Sequence, residues 1–316
     1  MNKQILLIDI SNGIYAKLAI VQRAGLRTAC ELYTANSLDE LKQAISAFLA
    51  AHDHPEIGGA AISAGGWDEN GVMSMPNHPF SIRREDFREL LGISRVNLVN
   101  DCVAKALAVP YLELGDLLQI SGGEVGADLP RALINVTNGL GVATIVPDAG
   151  GSYTVFPTEG GHSDLPATED SERMVYGHLS HKYGHVSRER VISLPGLTDL
   201  WNALANVEGS QDTVESAGTV CDRARAGDPR AQKALTLATG WLGATVSDIA
   251  LVTGARGGIY LAGEWFDAVG ELFDLGLFAD KFRTKGRLSG YVSDVPIFLV
   301  LAKDIEIIGL STLFDP

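Results

Sequence analysis

Cysteine is scarce in this chain: Cys30, Cys102 and Cys221 are the only 3 in 316 residues, scattered and without a Cys-x-x-Cys spacing. That excludes a disulfide framework and a zinc knuckle. Basic residues are also short, 25 Lys and Arg against 39 Asp and Glu for a net charge of −14. Such a balance excludes the basic surface that a nucleic acid or an anionic membrane attracts. A nucleotide stays open as a ligand, because loop amides, helix N-termini and Mg²⁺ supply positive potential locally. No apolar run approaches membrane-spanning length; Val295–Ala302, among the longest, has the length of a strand. The run Ile5–Ile8 stops at Asp9 and is too short for a secretory signal. Pro- or Ser-rich linkers and low-complexity segments are absent as well. With 46% apolar and 20% charged residues, the sequence reads as a cytoplasmic globular protein with core enough for one large domain or two smaller ones.

What is present is a repeat. Ile8–Ile14 reads I-D-I-S-N-G-I, and Ile134–Leu140 reads I-N-V-T-N-G-L. Both copies lie between apolar runs, and Asn-Gly between such runs predicts a type I′ hairpin turn with φ > 0 at both central residues. Two ordinary hairpins would explain this. So would a duplicated domain whose paired turns face each other across a cleft, their amides cradling phosphate oxygens with Ser11 and Thr137 beside them.

The elements around the repeat restart with it. After the first hairpin come a strand at Leu26–Thr34, a helix from the cap Ser37 to Phe48, with Glu40 completing a capping box, and a strand at Gly59–Ala64. Gly65–Pro79 reads as a loop or lid, Ser81 as the start of a helix over Ile82–Leu91, and Val96–Val99 as a short buried strand before the helix Cys102–Val109. Arg131–Thr137 and Gly141–Val146 form the second hairpin, followed by Tyr153–Phe156 and the polar loop Thr158–Asp170. Helices are predicted at Glu172–Tyr183, Arg188–Ile192, Leu197–Ala205 and Pro229–Val252, the last capped by Asp228. Strands at Gly258–Ala262 and Val295–Ala302 complete the pattern. The fold class is α/β, with a small domain over 1–109 to which about 303–316 returns and a large domain over 110–302.

Three places carry chemistry. Asn100 and Asp101 sit at the carboxyl end of a predicted strand, where ligands collect in open α/β sheets. An Asp there is placed to take a proton from a substrate hydroxyl during phosphoryl transfer, or simply to cap the following helix. The loop T-E-G-G-H-S-D puts Glu159 and His162 around two glycines that let backbone pass close to a ligand. Glu189, in H-V-S-R-E-R-V, adds a further carboxylate. Acceptors and donors of this kind suit a polyhydroxylated substrate and reject analogues lacking the hydroxyls.

The segments L-V-N-D-C-V-A-K-A-L-A-V-P, T-E-G-G-H-S-D, H-V-S-R-E-R-V-I-S-L-P-G-L and K-G-R-L-S-G-Y-V-S-D-V-P-I together resemble the bacterial glucokinases, the ATP-dependent hexokinase branch of the actin-like superfamily. The match is collinear from about Ile5 to Gly309. It implies a duplicated ribonuclease-H-like fold with an interdomain cleft and one phosphate hairpin in each half. It also implies ATP and Mg²⁺ as cofactors, a small-molecule hexose as partner, no zinc, and, since members are often dimeric, a homodimer. Carried over by motif, Asp101 resembles the base that deprotonates the sugar 6-hydroxyl. Asn100, Glu159, His162 and Glu189 resemble the groups that hold the sugar, with Asn77 in the lid segment. Asp9 resembles the carboxylate near Mg²⁺, and Ser11, Asn12, Gly13, Thr137, Asn138, Gly139 and Gly263 fall on the nucleotide-binding positions.

The departures from the family fall on the nucleotide side. The first hairpin of the family reads Asp-x-Gly-Gly-Thr-Asn, against Asp9-Ile10-Ser11-Asn12-Gly13-Ile14 here. The second carries Gly-Thr-Gly-Leu-Gly, against Thr137-Asn138-Gly139-Leu140-Gly141, and its adenosine segment has Gly-Gly where this chain has Gly263-Glu264. Side chains thus stand where backbone approaches phosphate. Two functions follow: glucose phosphorylation at the 6-hydroxyl, or, as the alternative, a sensor or regulator that kept the sugar pocket without ATP binding or transfer. A different hexose or donor, or a ligand-free scaffold, lies behind these. His178, His181 and His185 have the spacing of one helix face, which a solvated polar face explains better than a metal site. Trp67, Trp201, Trp241 and Trp265 read as core or interface residues.

Overall fold

A computed structural model describes residues 3–11, 13–22, 28–75, 79–126 and 128–314. The chain forms two compact units, one from Met1–Asp116 and Ala302–Pro316, the other from Leu117–Leu301.

In the first unit, β1 (Gln4–Asp9), β2 (Tyr15–Val21), β3 (Glu31–Thr34), α1 (Leu38–Ala51) and β4 (Ile57–Ala64) follow one another. The short β5 (Trp67–Glu69), β6 (Val72–Ser74) and β7 (Ile82–Arg83) precede α2 (Arg84–Leu91), β8 (Val96–Asn100) and α3 (Asp101–Ala108). The main sheet runs β3-β2-β1-β4-β8. β1 is antiparallel to β2 and parallel to β4, which is parallel to β8. Strand alternation explains why β1 is apolar on both faces. Leu6 and Ile8 pack into a core with Leu41, Ile45 and Phe48 of α1, while Ile5 and Leu7 pack with Ala104 of α3 and the chain's last helix.

The second unit repeats the plan. β9 (Leu117–Ser121) is followed by β10 (Arg131–Val136), β11 (Leu140–Pro147), β12 (Tyr153–Thr158), α4 (Asp170–Tyr183), α5 (Leu194–Val207), α6 (Ala217–Arg225) and α7 (Pro229–Thr253). Then come β13 (Ile259–Ala262), α8 (Glu264–Val269), α9 (Leu275–Arg283), α10 (Ser289–Ser293) and β14 (Ile297–Val300). The sheet order is β12-β11-β10-β13-β14-β9. Its first five positions match the other sheet strand for strand, with the same parallel and antiparallel pairings. Duplication, rather than two unrelated hairpins, is therefore the reading that holds. The core of this unit gathers Ile134 and Val136 of β10 around the fully buried Trp201, Trp241 and Trp265. The chain then returns to the first unit as α11 (Ile305–Thr312), whose Ile307 and Leu310 cover the second face of β1.

Several expectations need correction. Residues 65–79 hold the hairpin β5–β6 rather than an irregular loop, and the helix expected from Ile82 starts at Arg84 because Ile82 pairs with Met73. The strand expected at Leu26–Thr34 is observed at Glu31–Thr34, Leu26 and Arg27 lying outside the described residues. Arg188–Ile192 is a single 3₁₀ turn over Arg188–Arg190. Trp67 is exposed, its indole N–H donating to Glu69. Finally, α7 is long and apolar enough to cross a membrane, contrary to the reading of short apolar runs. Of its apolar window 72% is buried inside the second unit, which is how a core helix behaves, and its Trp241 indole N–H donates to Pro166 O at 2.8 Å.

Candidate active site

The loop from β1 to β2 covers residues 10–14, too long for the two-residue turn that Asn-Gly predicts. Gly13 has φ = +87°, and Asn12 lies outside the described residues. Asp9, the last residue of β1, stands in register with Lys17 on β2 and Ser63 on β4. Its carboxyl is 1% exposed. Ser63 Oγ donates to it at 2.6 Å, and Ser11 Oγ reaches both of its oxygens at 2.9 Å. The Ser11 hydroxyl, expected to face phosphate, is thus directed at Asp9. Burial pushes the Asp9 carboxyl up to about 7, and the charge of Glu306 adds to this against the hydroxyls and Lys17. Lys17 Nζ pairs with Asp304 at 2.7 Å and with the buried Glu306. Burial disfavours its charge, but these carboxylates outweigh that and hold the ammonium above the lysine range. Ser63, Lys17 and Glu306 were not singled out in the sequence. A charged residue inside the apolar run Ile305–Ile308 was the available signal.

At the end of β8 the two candidate residues separate. Asn100 is the N-cap of α3, its side-chain oxygen accepting from Cys102 N at 2.9 Å and Val103 N at 3.3 Å. Its amide nitrogen donates to Gly66 O at 2.9 Å. The capping duty that would have explained Asp101 therefore belongs to its neighbour, and Asp101 opens the helix itself. Asn77 lies outside the described residues.

In the second unit the turn spans Thr137–Gly139 between β10 and β11, and neither Asn138 nor Gly139 has a positive φ. The type I′ expectation fails here because contacts from outside the hairpin shape the turn. Leu140 N donates to Glu189 Oε2 at 3.0 Å, and Leu194 N donates to Thr137 O at 2.8 Å. Thr137 Oγ1 accepts from Gly139 N at 3.4 Å. The residues expected to hold the sugar do converge: His162 Nε2 lies 3.8 Å from both Glu159 Oε2 and Glu189 Oε2. Glu159 and His162 are exposed, and the Glu189 side chain is half-buried. Gly161 is needed for a reason other than a ligand. A Cβ there would stand 2.0 Å from Leu140 O, so the loop rests directly on the turn. Asp248 of α7 pairs with Arg188 at 3.0 Å and with Lys285 of the K-G-R segment, which anchors the loop carrying Glu189.

Gly263 has φ = +115°, and a Cβ on it would collide with Val136 O. The following Glu264 is exposed. His185 lies beyond the end of α4 and pairs with Asp164 at 2.9 Å, so the three histidines do not share a helix face. Among the described residues no group of three or more His, Cys, Asp or Glu side chains could hold a metal ion. Asp9, the carboxylate expected near Mg²⁺, is buried with both oxygens engaged by serine hydroxyls, which fits an Mg²⁺ that would arrive on phosphates and keep most of its waters.

With the geometry in view, the comparisons are direct. The glucokinase family model matches residues 6–316. A glucokinase of Campylobacter jejuni subsp. doylei is 31% identical over 98% of this chain and 93% of its own. One of Nitrobacter hamburgensis is 34% identical over 95% of this chain and 94% of its own. The crystal structure of a glucokinase from an Antarctic psychrotroph superposes with a TM-score of 0.88 at 26% identity, covering 99% of both chains. Two matched sheets, one buried carboxylate turn, one clasped turn and the Glu159–His162–Glu189 cluster thus stand on a chain that belongs to the glucokinase family.

Proposed function

We propose that this enzyme, an ATP-dependent hexose kinase of the glucokinase type, transfers the γ-phosphoryl group of ATP to the 6-hydroxyl of glucose with Asp101 as general base. The observation that carries the reading is the division of labour at the end of β8. Asn100 caps α3, and Asp101 is the first residue of that helix, placed at the carboxyl end of a sheet strand where ligands collect in α/β sheets. In the proposed reaction Asp101 takes the proton of the 6-hydroxyl as its oxygen attacks phosphorus. Glu159, His162 and Glu189 serve as hexose ligands through the sugar hydroxyls. Asn100 acts by orienting the start of α3, and Asn77 belongs to the lid segment.

Phosphoryl transfer leaves the protein mainly positioning and electrostatic work. Ser11, Asn12, Gly13, Thr137, Asn138 and Gly139, with Gly263, are the positions proposed to address the phosphates and adenosine. Mg²⁺ would supply charge neutralisation on the phosphates when bound, and Asp9 is the residue proposed to help hold it, indirectly. The partner is a small hexose, the setting cytoplasmic and the assembly a homodimer.

The test is a coupled assay with glucose and MgATP, alongside calorimetry with glucose and 6-deoxyglucose. Turnover of glucose, with 6-deoxyglucose bound but unreactive, is expected. Glucose binding without turnover, and without nucleotide binding at millimolar MgATP, would establish the sensor instead.

A further inference from the structure

Both loops that carry the sugar candidates in the second unit close on Leu140, the residue that follows the β10–β11 turn. Leu140 offers its N–H to Glu189 Oε2 at 3.0 Å. On its other side the Thr158–His162 loop lies so close that a Cβ at Gly161 would be 2.0 Å from its carbonyl oxygen. The Glu189 loop holds the turn at a second point, where Leu194 N donates to Thr137 O at 2.8 Å. Ser193 Oγ, donating to Glu189 O at 2.8 Å, ties those two points together. The glycine at position 139 follows from the same clasp. Its φ is not left-handed, but a Cβ there would stand 2.8 Å from Glu189 Oε2, so the position demands room for the carboxylate. That same oxygen lies 3.8 Å from His162 Nε2.

We infer that Glu189 and Gly139 couple hexose binding to phosphoryl-donor binding, Glu189 as a sugar ligand that also positions the phosphate turn and Gly139 as a positioning residue. This deepens the proposed function and rests on its assignment of the cluster to hexose and of the turn to phosphate. A carboxylate accepts about four hydrogen bonds. One acceptor site is engaged by Leu140 N–H, and the sugar hydroxyls take others. A hexose that fixes the carboxylate therefore fixes the turn. The donor then meets a turn already ordered and binds more tightly, without any new contact of its own. By linkage the donor tightens hexose binding by the same factor.

The experiment measures the affinity for the Mg²⁺ complex of the β,γ-imido analogue of ATP by calorimetry, without sugar and at saturating glucose. In the native protein the analogue binds at least about fivefold more tightly with glucose present. Glu159→Ala weakens glucose binding yet keeps that ratio, because the Glu159 carboxylate is exposed and is not the one that holds Leu140 N–H. Glu189→Gln keeps an acceptor oxygen of the same reach for Leu140 N–H and retains most of the ratio. Glu189→Ala and Gly139→Ala each bring it down to about one. A native ratio of about one, or a native ratio preserved in either clasp variant that melts cooperatively, overturns the coupling. Unchanged glucose affinity in both Glu159→Ala and Glu189→Ala removes the sugar assignment instead, which is a separate failure.

Discussion

The two turns descend from one plan and have come to do opposite things. In the first unit the last residue of β1 is Asp9, with Lys17 and Ser63 as its register partners. In the second the corresponding Asn135 pairs with Gly141 and Ala262. The first turn therefore encloses charge: a buried carboxyl, two hydroxyls aimed at it, and a lysine held by Glu306 and Asp304. The second encloses almost none in its strands and takes its carboxylate from outside, through Glu189. The difference teaches that duplication preserved the frame while the frame's central strands diverged in polarity. One turn is set by electrostatics within the sheet, the other by loops packed against it.

The largest expected effect that sharpens this contrast belongs to Asp9. Because its folded carboxyl is raised to about 7, the native state keeps a proton that the unfolded chain releases near pH 4. The stability this group contributes is greatest below that pH and falls as pH rises through about 7, by on the order of a few kcal/mol. Asp9→Asn removes that fall. The Tm of the variant minus that of the native protein should grow across this window and level off above it. A difference that stays constant with pH would mean that Asp9 is not a buried, raised acid. Next comes Ser63→Ala, which deletes a buried hydrogen bond to that carboxyl and should cost about 1.5–3 kcal/mol in denaturant unfolding. The reverse change at the matching site, Ala262→Ser, should give no such pairing, because no carboxylate stands opposite it. Gly161→Ala probes the other turn, where overpacking against Leu140 should cost about 1–3 kcal/mol. Smallest is His185→Ala, an exposed pair with Asp164, expected to change stability by less than about 1 kcal/mol.

How much of this was legible in the sequence differs between the turns for the same reason. The repeat itself, the matched strands and the family were readable, because hydrophobic alternation and motif spacing are local. The convergence of Glu159, His162 and Glu189 was anticipated from motifs that the fold brings together. The turn type was not, since Glu189 reaches Leu140 from 49 positions along the chain and Leu194 reaches Thr137 from further still. That Lys17, Ser63 and Glu306 gather around Asp9 was not readable, because register and the return of α11 place them there, although a charge inside the apolar run of α11 marked Glu306 as unusual. The Asp101 question was undecided in the sequence because Asn and Asp are both good caps. Only coordinates show which of the adjacent pair turns its oxygen to Cys102 and Val103.

The most direct test of the division between the units is a paired kinetic measurement on Asp101→Ala and His162→Ala, with kcat and the KM for glucose determined for each. The account predicts that Asp101→Ala lowers kcat by about 10²–10⁴-fold with KM within a few-fold of native. It predicts that His162→Ala chiefly raises KM, by about tenfold or more. Loss of glucose binding together with turnover in Asp101→Ala, or an unchanged KM in His162→Ala, would contradict it.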